Sequence, residues 1–190
     1  MATGKLIIIT APSGSGKTSI TKYLLDKYPR LSFSVSATTR KPRQGEKDGV
    51  DYYFISAEDF QQKISEDAFI EWEMVYEGKY YGTLKSELER IWSDGRVPVL
   101  DIDVQGAIHV EKQFPGTCLS IFIQPPSIEE LKRRLEKRQT ESLESLQTRL
   151  SKANYELSFT GHFNRVIIND NLEKACHETE EVITSFLGWN

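Results

Sequence analysis

Residues Leu6–Pro29 read LIIITAPSGSGKTSITKYLLDKYP, and this stretch constrains the fold more than any other. Leu6–Thr10 is a continuous apolar run, the pattern of a parallel strand covered on both faces. From Thr18 to Tyr28, Ile20, Tyr23, Leu24 and Tyr28 fall at helical spacing, and Pro29 ends the segment. Between the two lies APSGSGKT, and a glycine-rich loop in a strand–loop–helix context reads as a phosphate-binding loop. Gly14 and Gly16 let backbone N–H groups turn inward around phosphate oxygens, and the helix N-terminus adds its dipole. Lys17 would reach the β- and γ-phosphates of a nucleotide, and Thr18 would place its hydroxyl on Mg²⁺. Ala11 departs from the loop pattern, which has Gly at this position. Ala is the smallest replacement, but a positive φ there would cost about 1 kcal/mol.

The rest of the chain fits one α/β domain. Its 190 residues suffice for one well-cored unit. Strand-like stretches recur at Ser32–Ser36, Tyr52–Ile55, Phe69–Tyr76, Val97–Ile102, Leu119–Ile123 and Arg165–Ile168. Helical patterns recur at Ala57–Ile64, Thr83–Trp92, Val104–Gln113, Ser127–Arg138, Ser142–Glu156 and Leu172–Leu187. The alternation after Gly82 implies right-handed crossovers and a central parallel sheet flanked by helices. The short, aromatic-rich strands between Ser32 and Tyr81 break that rhythm and read as an antiparallel insertion, with YEGKYYG as its hairpin turn. The net charge of −4 argues against a general nucleic-acid or membrane-surface binder. The only two cysteines, Cys118 and Cys176, read as buried thiols rather than a disulfide framework or zinc site. The N-terminal apolar run is too short for a membrane span and has no cleavage-like pattern after it, so a cytoplasmic setting is expected.

Three further features bear on chemistry. VPVLDID puts Asp101 at the end of a buried strand, where a carboxylate can orient Mg²⁺ or its water shell. Asp103 reads equally as a helix cap. Arg40 and Arg43 flank a proline close to Tyr52 and Tyr53, and guanidinium forks bind phosphate bidentately. Arg134 and Arg138 lie four apart on one helix face, with Arg149 on the next helix. For a lone pair at this spacing, pairing with Glu130 on a solvated face is the simpler account.

The segments SATTRKPRQGEKDGVDYYF, FIEW, YYGT, LDIDVQG and INDNLEKA, in this order, resemble the guanylate kinase family over nearly the whole of Leu6–Leu187. The resemblance implies a P-loop kinase fold with a helical lid: a single domain over 4–187, with core 4–31, 83–126 and 157–187, a GMP-binding arm 32–82 and a lid 127–156. It implies an ATP site at Ala11, Pro12, Ser13, Gly14, Ser15, Gly16, Lys17 and Thr18, with Asn169 bordering the adenine. On the GMP side it implies Ser36, Arg40, Arg43, Tyr52, Glu71, Tyr81, Thr83, Asp101 and Asp103. Of these, Arg40, Arg43, Tyr52 and Tyr81 would hold the phosphate, and Ser36, Glu71 and Thr83 would read the base. Lys17 and the lid residues Arg134, Arg138 and Arg149 would stabilise the transferring phosphoryl group.

Base choice follows from donor–acceptor chemistry. Guanine presents donors at N1 and N2, and a carboxylate such as Glu71 accepts only. Adenine presents an acceptor at N1 to the same carboxylate. The implied activity is transfer of the ATP γ-phosphate to GMP with Mg²⁺, in guanine nucleotide supply and GMP salvage, by a monomer or homodimer. The alternative is an inactive guanylate kinase-like scaffold that binds phosphoproteins. The intact GSGKT favours the enzyme.

Overall fold

The computed structural model describes residues 4–137 and 143–189. Its first strand, β1 (Leu6–Thr10), is buried along its whole length. Alternation of side chains along it feeds two cores. Ile7 and Ile9 face Ile20 and Leu24 of α1 (Lys17–Lys27) and Ile183 of the C-terminal helix. Leu6 and Ile8 face the opposite layer, with Leu88, Ala107, Val110 and Phe122. A strand with no exposed face must have helices on both sides, as its sequence implies.

The remaining core strands are β2 (Leu31–Phe33), β7 (Val97–Leu100), β8 (Cys118–Gln124) and β9 (Arg165–Ile168). With β1 they form a parallel five-stranded sheet in the order β2-β7-β1-β8-β9. Helices α3 (Lys85–Ser93), α4 (Val104–Gln113) and α7 (Leu172–Leu187) link or flank these strands.

The insertion forms a second sheet of β3 (Ala37–Thr38), β4 (Tyr53–Phe54), β5 (Phe69–Tyr76) and β6 (Lys79–Leu84), in the order β4-β3-β6-β5. It carries α2 (Ala57–Ser65) and its own small core, where Phe60 stacks on Phe69 at 4.4 Å and on Tyr80 at 5.3 Å. Gly78, at φ 70°, makes the hairpin turn between β5 and β6. Helices α5 (Ile128–Glu136) and α6 (Leu143–Leu157) close a fourth cluster around Leu131, Leu135, Leu146 and Ala153.

Three details differ from the sequence reading. Ser32–Ser36 does not form one strand of the insertion. Leu31–Phe33 belongs to the parallel sheet, with Ser32 opposite Pro98, and Ala37–Thr38 starts the second sheet. The insertion is mixed rather than wholly antiparallel, because the long excursion between β3 and β4 brings β4 back parallel to β3. Thr83, expected at a helix start, sits on β6 opposite Glu71, and the helix begins at Lys85.

Candidate functional site

The loop between β1 and α1 has the required glycines: Gly14 at φ 93° and Gly16 at φ 92°. Ala11 creates no strain. Among the described residues, Asp67 is the non-glycine with positive φ, so Ala11 keeps an ordinary backbone conformation. Asn169 supports the loop from below. It is 3% exposed, and its amide nitrogen donates to the Ser15 carbonyl at 2.7 Å. A Cβ on Gly16 would stand 2.2 Å from that nitrogen, so the loop closes only around glycine. Asn169 therefore shapes the loop, beside the role next to the adenine that the resemblance implies for it.

Lys17 forms an ion pair with Asp101. This joins the loop to the residue that follows β7, a pairing the sequence reading, which gave Asp101 to Mg²⁺, did not foresee. Asp103 is the N-cap of α4, its side chain accepting from Gly106 N at 2.8 Å, so its capping role is real.

The arm assembles the remaining groups. Arg40 is held by Glu46 through two hydrogen bonds of 2.6 and 2.7 Å. Its guanidinium lies over the Tyr52 ring at 4.7 Å, and the Tyr52 and Tyr81 rings meet edge-on at 6.0 Å. Glu46 also accepts from Arg43 N at 2.7 Å, while the Arg43 side chain is exposed. The Arg40 and Arg43 contacts hold the Glu46 carboxyl down at about 2. Sequence reasoning missed Glu46. Its position three residues beyond Arg43 is a turn signal, and this is what let it clamp the loop.

Strand register brings together the residues that the resemblance implies for base reading. Ala37 pairs with Gly82, which pairs with Trp72, and one step along, Thr83 pairs with Glu71. Ser36, the residue before β3, comes into line with Thr83 and Glu71 across the sheet. Tyr81 shares a sheet face with Thr83, two residues away. Glu71 is 8% exposed and accepts from Thr83 Oγ1 at 2.6 Å. Burial pushes its carboxyl up to about 7; the Thr83 hydrogen bond opposes this, and the nearby Asp103 charge adds to it. Glu73, next on that face of β5, is also raised, first by its hydrogen bond with Asp103 and then by burial. The second residue that sequence reasoning missed is Gly106. A Cβ there would stand 2.9 Å from Glu71 Oε2, so the first turn of α4 leaves room for the carboxylate.

Helices α5 and α6, the segment expected to act as a lid, reach the glycine-rich loop. Arg149 donates to Ser13 Oγ at 2.7 Å. Arg134 donates to the Asn169 carbonyl at 3.0 Å and to Glu130 at 2.8 Å. Leu131 and Leu135 pack against Gly14. The Glu130 pairing read from the sequence is therefore present, and the same guanidinium also reaches the loop region. Arg138 lies outside the described residues. A cavity of about 890 Å³ between α4, β8 and α7 contains none of these residues.

Comparisons with known proteins agree with this geometry. The family model described as guanylate kinase matches residues 3–186. The guanylate kinase of Bacteroides thetaiotaomicron is 50% identical over 185 residues, covering 97% of this chain and 91% of that protein. That of Chlorobium chlorochromatii is 48% identical, covering 97% of each. The crystal structure of guanylate kinase from Anaplasma phagocytophilum superposes with a TM-score of 0.76 at 32% identity, covering 97% of this chain and 87% of that one. A phosphate loop, an arm with a buried carboxylate and an arginine-bearing lid, matched end to end at this identity, identify the chain as belonging to the guanylate kinase family.

Proposed function

We propose that the protein transfers the γ-phosphate of ATP to GMP, giving ADP and GDP. The observation that carries this reading is Glu71: a buried acceptor, tied to Thr83, on the arm that also holds Arg40, Tyr52 and Tyr81. Ionised, it accepts from guanine N1–H and N2–H. Against adenine N1 it leaves two acceptors facing each other, and an unsatisfied buried polar group costs about 1–3 kcal/mol. The relatives matched here are named as guanylate kinases, and the scaffold alternative finds no support among them.

The acceptor atom is a phosphate oxygen that already carries charge, so the protein needs no strong general base. The difficulty is bringing two anions together, and charge neutralisation with in-line positioning answers it. In this reading Arg40, Arg43, Tyr52 and Tyr81 hold the GMP phosphate. Lys17 and the amides of the loop hold the ATP phosphates. Arg134 and Arg149 approach from the lid, and Arg138 is proposed to join them. Closing the lid excludes the water that would otherwise accept the phosphoryl group.

The residues present fit a Mg²⁺ ion that arrives with ATP. Thr18 presents an exposed hydroxyl on the first turn of α1, Asp101 adds a carboxylate beside Lys17, and Mg²⁺ takes such hard oxygen donors. Among the described residues no cluster of three acidic, His or Cys side chains forms a protein-only cage. When bound, the ion neutralises charge on the phosphate oxygens.

The reading also implies a cytoplasmic enzyme of guanine nucleotide supply and GMP salvage, acting on small molecules as a monomer or homodimer. No helix among the described residues is long and apolar enough to cross a membrane. The test is a panel of GMP, AMP, CMP and UMP with Mg-ATP, following ADP formation. Turnover with GMP alone is expected, and a better acceptor than GMP would overturn the assignment.

A further inference from the structure

The chain passes between the parallel sheet and the arm at two places. On the way in, Ser34 N donates to Val99 O at 3.0 Å, the last bond of the parallel sheet. Tyr53 N donates to Ser36 O at 2.9 Å, the first bond on the arm side. Val35 alone lies between them. On the way out, β6 ends at Leu84 and α3 starts at Lys85.

Glu87, in the first turn of α3, bridges these two crossings. It is 2% exposed. Its Oε1 accepts from Val35 N at 3.0 Å and from Arg90 at 2.8 Å. Its Oε2 accepts from the Tyr53 hydroxyl at 2.9 Å and from Arg90 Nε at 2.9 Å. A carboxylate has about four lone-pair sites, and all four are used. Burial alone would raise this carboxyl, but the bonds from Arg90, Val35 and Tyr53 outweigh it and hold Glu87 ionised.

We infer that Glu87 is a positioning residue that pins the arm at its hinge and so sets where Ser36 and Tyr52 stand relative to the phosphate loop. Val35 precedes Ser36, whose carbonyl also binds Tyr53, and Tyr53 follows Tyr52. One buried carboxylate therefore fixes one neighbour of each of two groups assigned to GMP, and its other anchor, Arg90, belongs to the core helix. A hinge residue elsewhere would be free to swing; here the backbone N–H at the crossing is tied to α3. Among the described residues, Glu87 makes no such tie to the loop proposed to hold ATP. This inference rests on the GMP site proposed above.

The experiment uses the full chain with Glu87→Gln and Tyr53→Phe made singly. Glu87→Gln replaces an acceptor by an NH₂ group that faces donors. Tyr53→Phe removes only the arm's bond and keeps the ring. The expected result is a KM for GMP raised about tenfold in Glu87→Gln and about threefold in Tyr53→Phe, with the KM for ATP changed by less than about twofold in both. A general loss of structure would instead raise both KM values and lower the melting temperature in proportion. That outcome, or an unchanged KM for GMP in folded Tyr53→Phe, overturns the inference. If Glu87→Gln does not fold, Tyr53→Phe alone decides. Wild-type protein that neither turns over nor binds GMP would refute the proposed function itself, whereas wild-type turnover with unaffected variants refutes only the role of Glu87.

Discussion

If Glu71 reads guanine as proposed, its raised carboxyl should make GMP binding depend on pH around neutrality. Burial brings it to about 7 from an ordinary 4.5 in the empty protein. Guanine offers two donors, so only the ionised form accepts both. The ionised fraction is roughly 0.9 at pH 8 and roughly 0.1 at pH 6, so the KM for GMP should fall about tenfold between pH 6 and 8. The second ionisation of the GMP phosphate, near pH 6, contributes about twofold over the same range. Glu71→Gln separates the two contributions: its KM at pH 8 should be about 30- to 100-fold higher, for a lost charged hydrogen bond, and should keep only the shallow phosphate slope. The same group affects the stability of the empty protein. Between 4.5 and 7 the folded chain holds a proton that the unfolded chain has released. This contributes about 3 kcal/mol at the acid end of the window, and the contribution is lost as pH rises through 7. Thermal melts at pH 5.5 and pH 8, with and without GMP, should therefore show a larger stabilisation by GMP at pH 8 than at pH 5.5. The assay is steady-state ADP formation at saturating Mg-ATP across pH 6–8. A wild-type slope no steeper than that of Glu71→Gln refutes the reasoning.

Three shorter predictions follow from the same geometry. Lys17→Ala removes the cation from the phosphate loop and leaves Asp101 without its partner; kcat should drop about 10²–10³-fold in protein that still melts cooperatively. Gly106→Ala pushes a Cβ to 2.9 Å from Glu71 Oε2, so the KM for GMP should rise several-fold while that for ATP holds, as read from two substrate titrations. Arg149→Ala removes the lid cation that reaches Ser13, and kcat should fall by roughly 10³-fold with a small change in the KM for GMP, as measured at saturating GMP.

What the sequence disclosed, and what it concealed, follows from the range of each interaction. The phosphate loop was legible because its constraints are local: an apolar strand, glycines that need positive φ, and a helix ended by Pro29 all lie within a few residues. The arginines and tyrosines of the arm were legible as residue types, and their meeting was not. Arg40 comes against Tyr52 and Tyr81 only because β4 and β6 flank β3. The passage of the chain from one sheet to the other across Ser34–Ser36 was hidden, since Leu31–Phe33 and Ala37–Thr38 have the same local strand character. Glu46, Gly106 and Glu87 stayed hidden for a related reason. Each matters through what stands opposite it in space, and a glycine that must leave room for a carboxylate 35 positions earlier in the chain leaves no periodic trace.

Three of the cations assigned to phosphate already have partners within the protein. Lys17 is paired with Asp101, Arg40 with Glu46, and Arg134 with Glu130 and the Asn169 carbonyl. A cluster of unpaired cations would repel and swing apart, so the internal acceptors hold each group near the place where phosphate is proposed to bind. Binding then exchanges one acceptor for another, and the gain is the difference between the two. Phosphate carries more charge and more oxygens than a single carboxylate, so the exchange favours it. Removing a parking carboxylate should therefore act in two opposing ways: it frees the cation for phosphate, and it loosens the loop that carries it. For Glu46 the second effect dominates, because the same carboxylate also holds the Arg43 backbone. Glu46→Gln keeps the side chain's size but weakens both bonds, so GMP should bind more weakly although a negative charge beside its phosphate has been removed. Tighter binding of GMP in calorimetry of Glu46→Gln would show that Glu46 competes with the substrate rather than ordering its site.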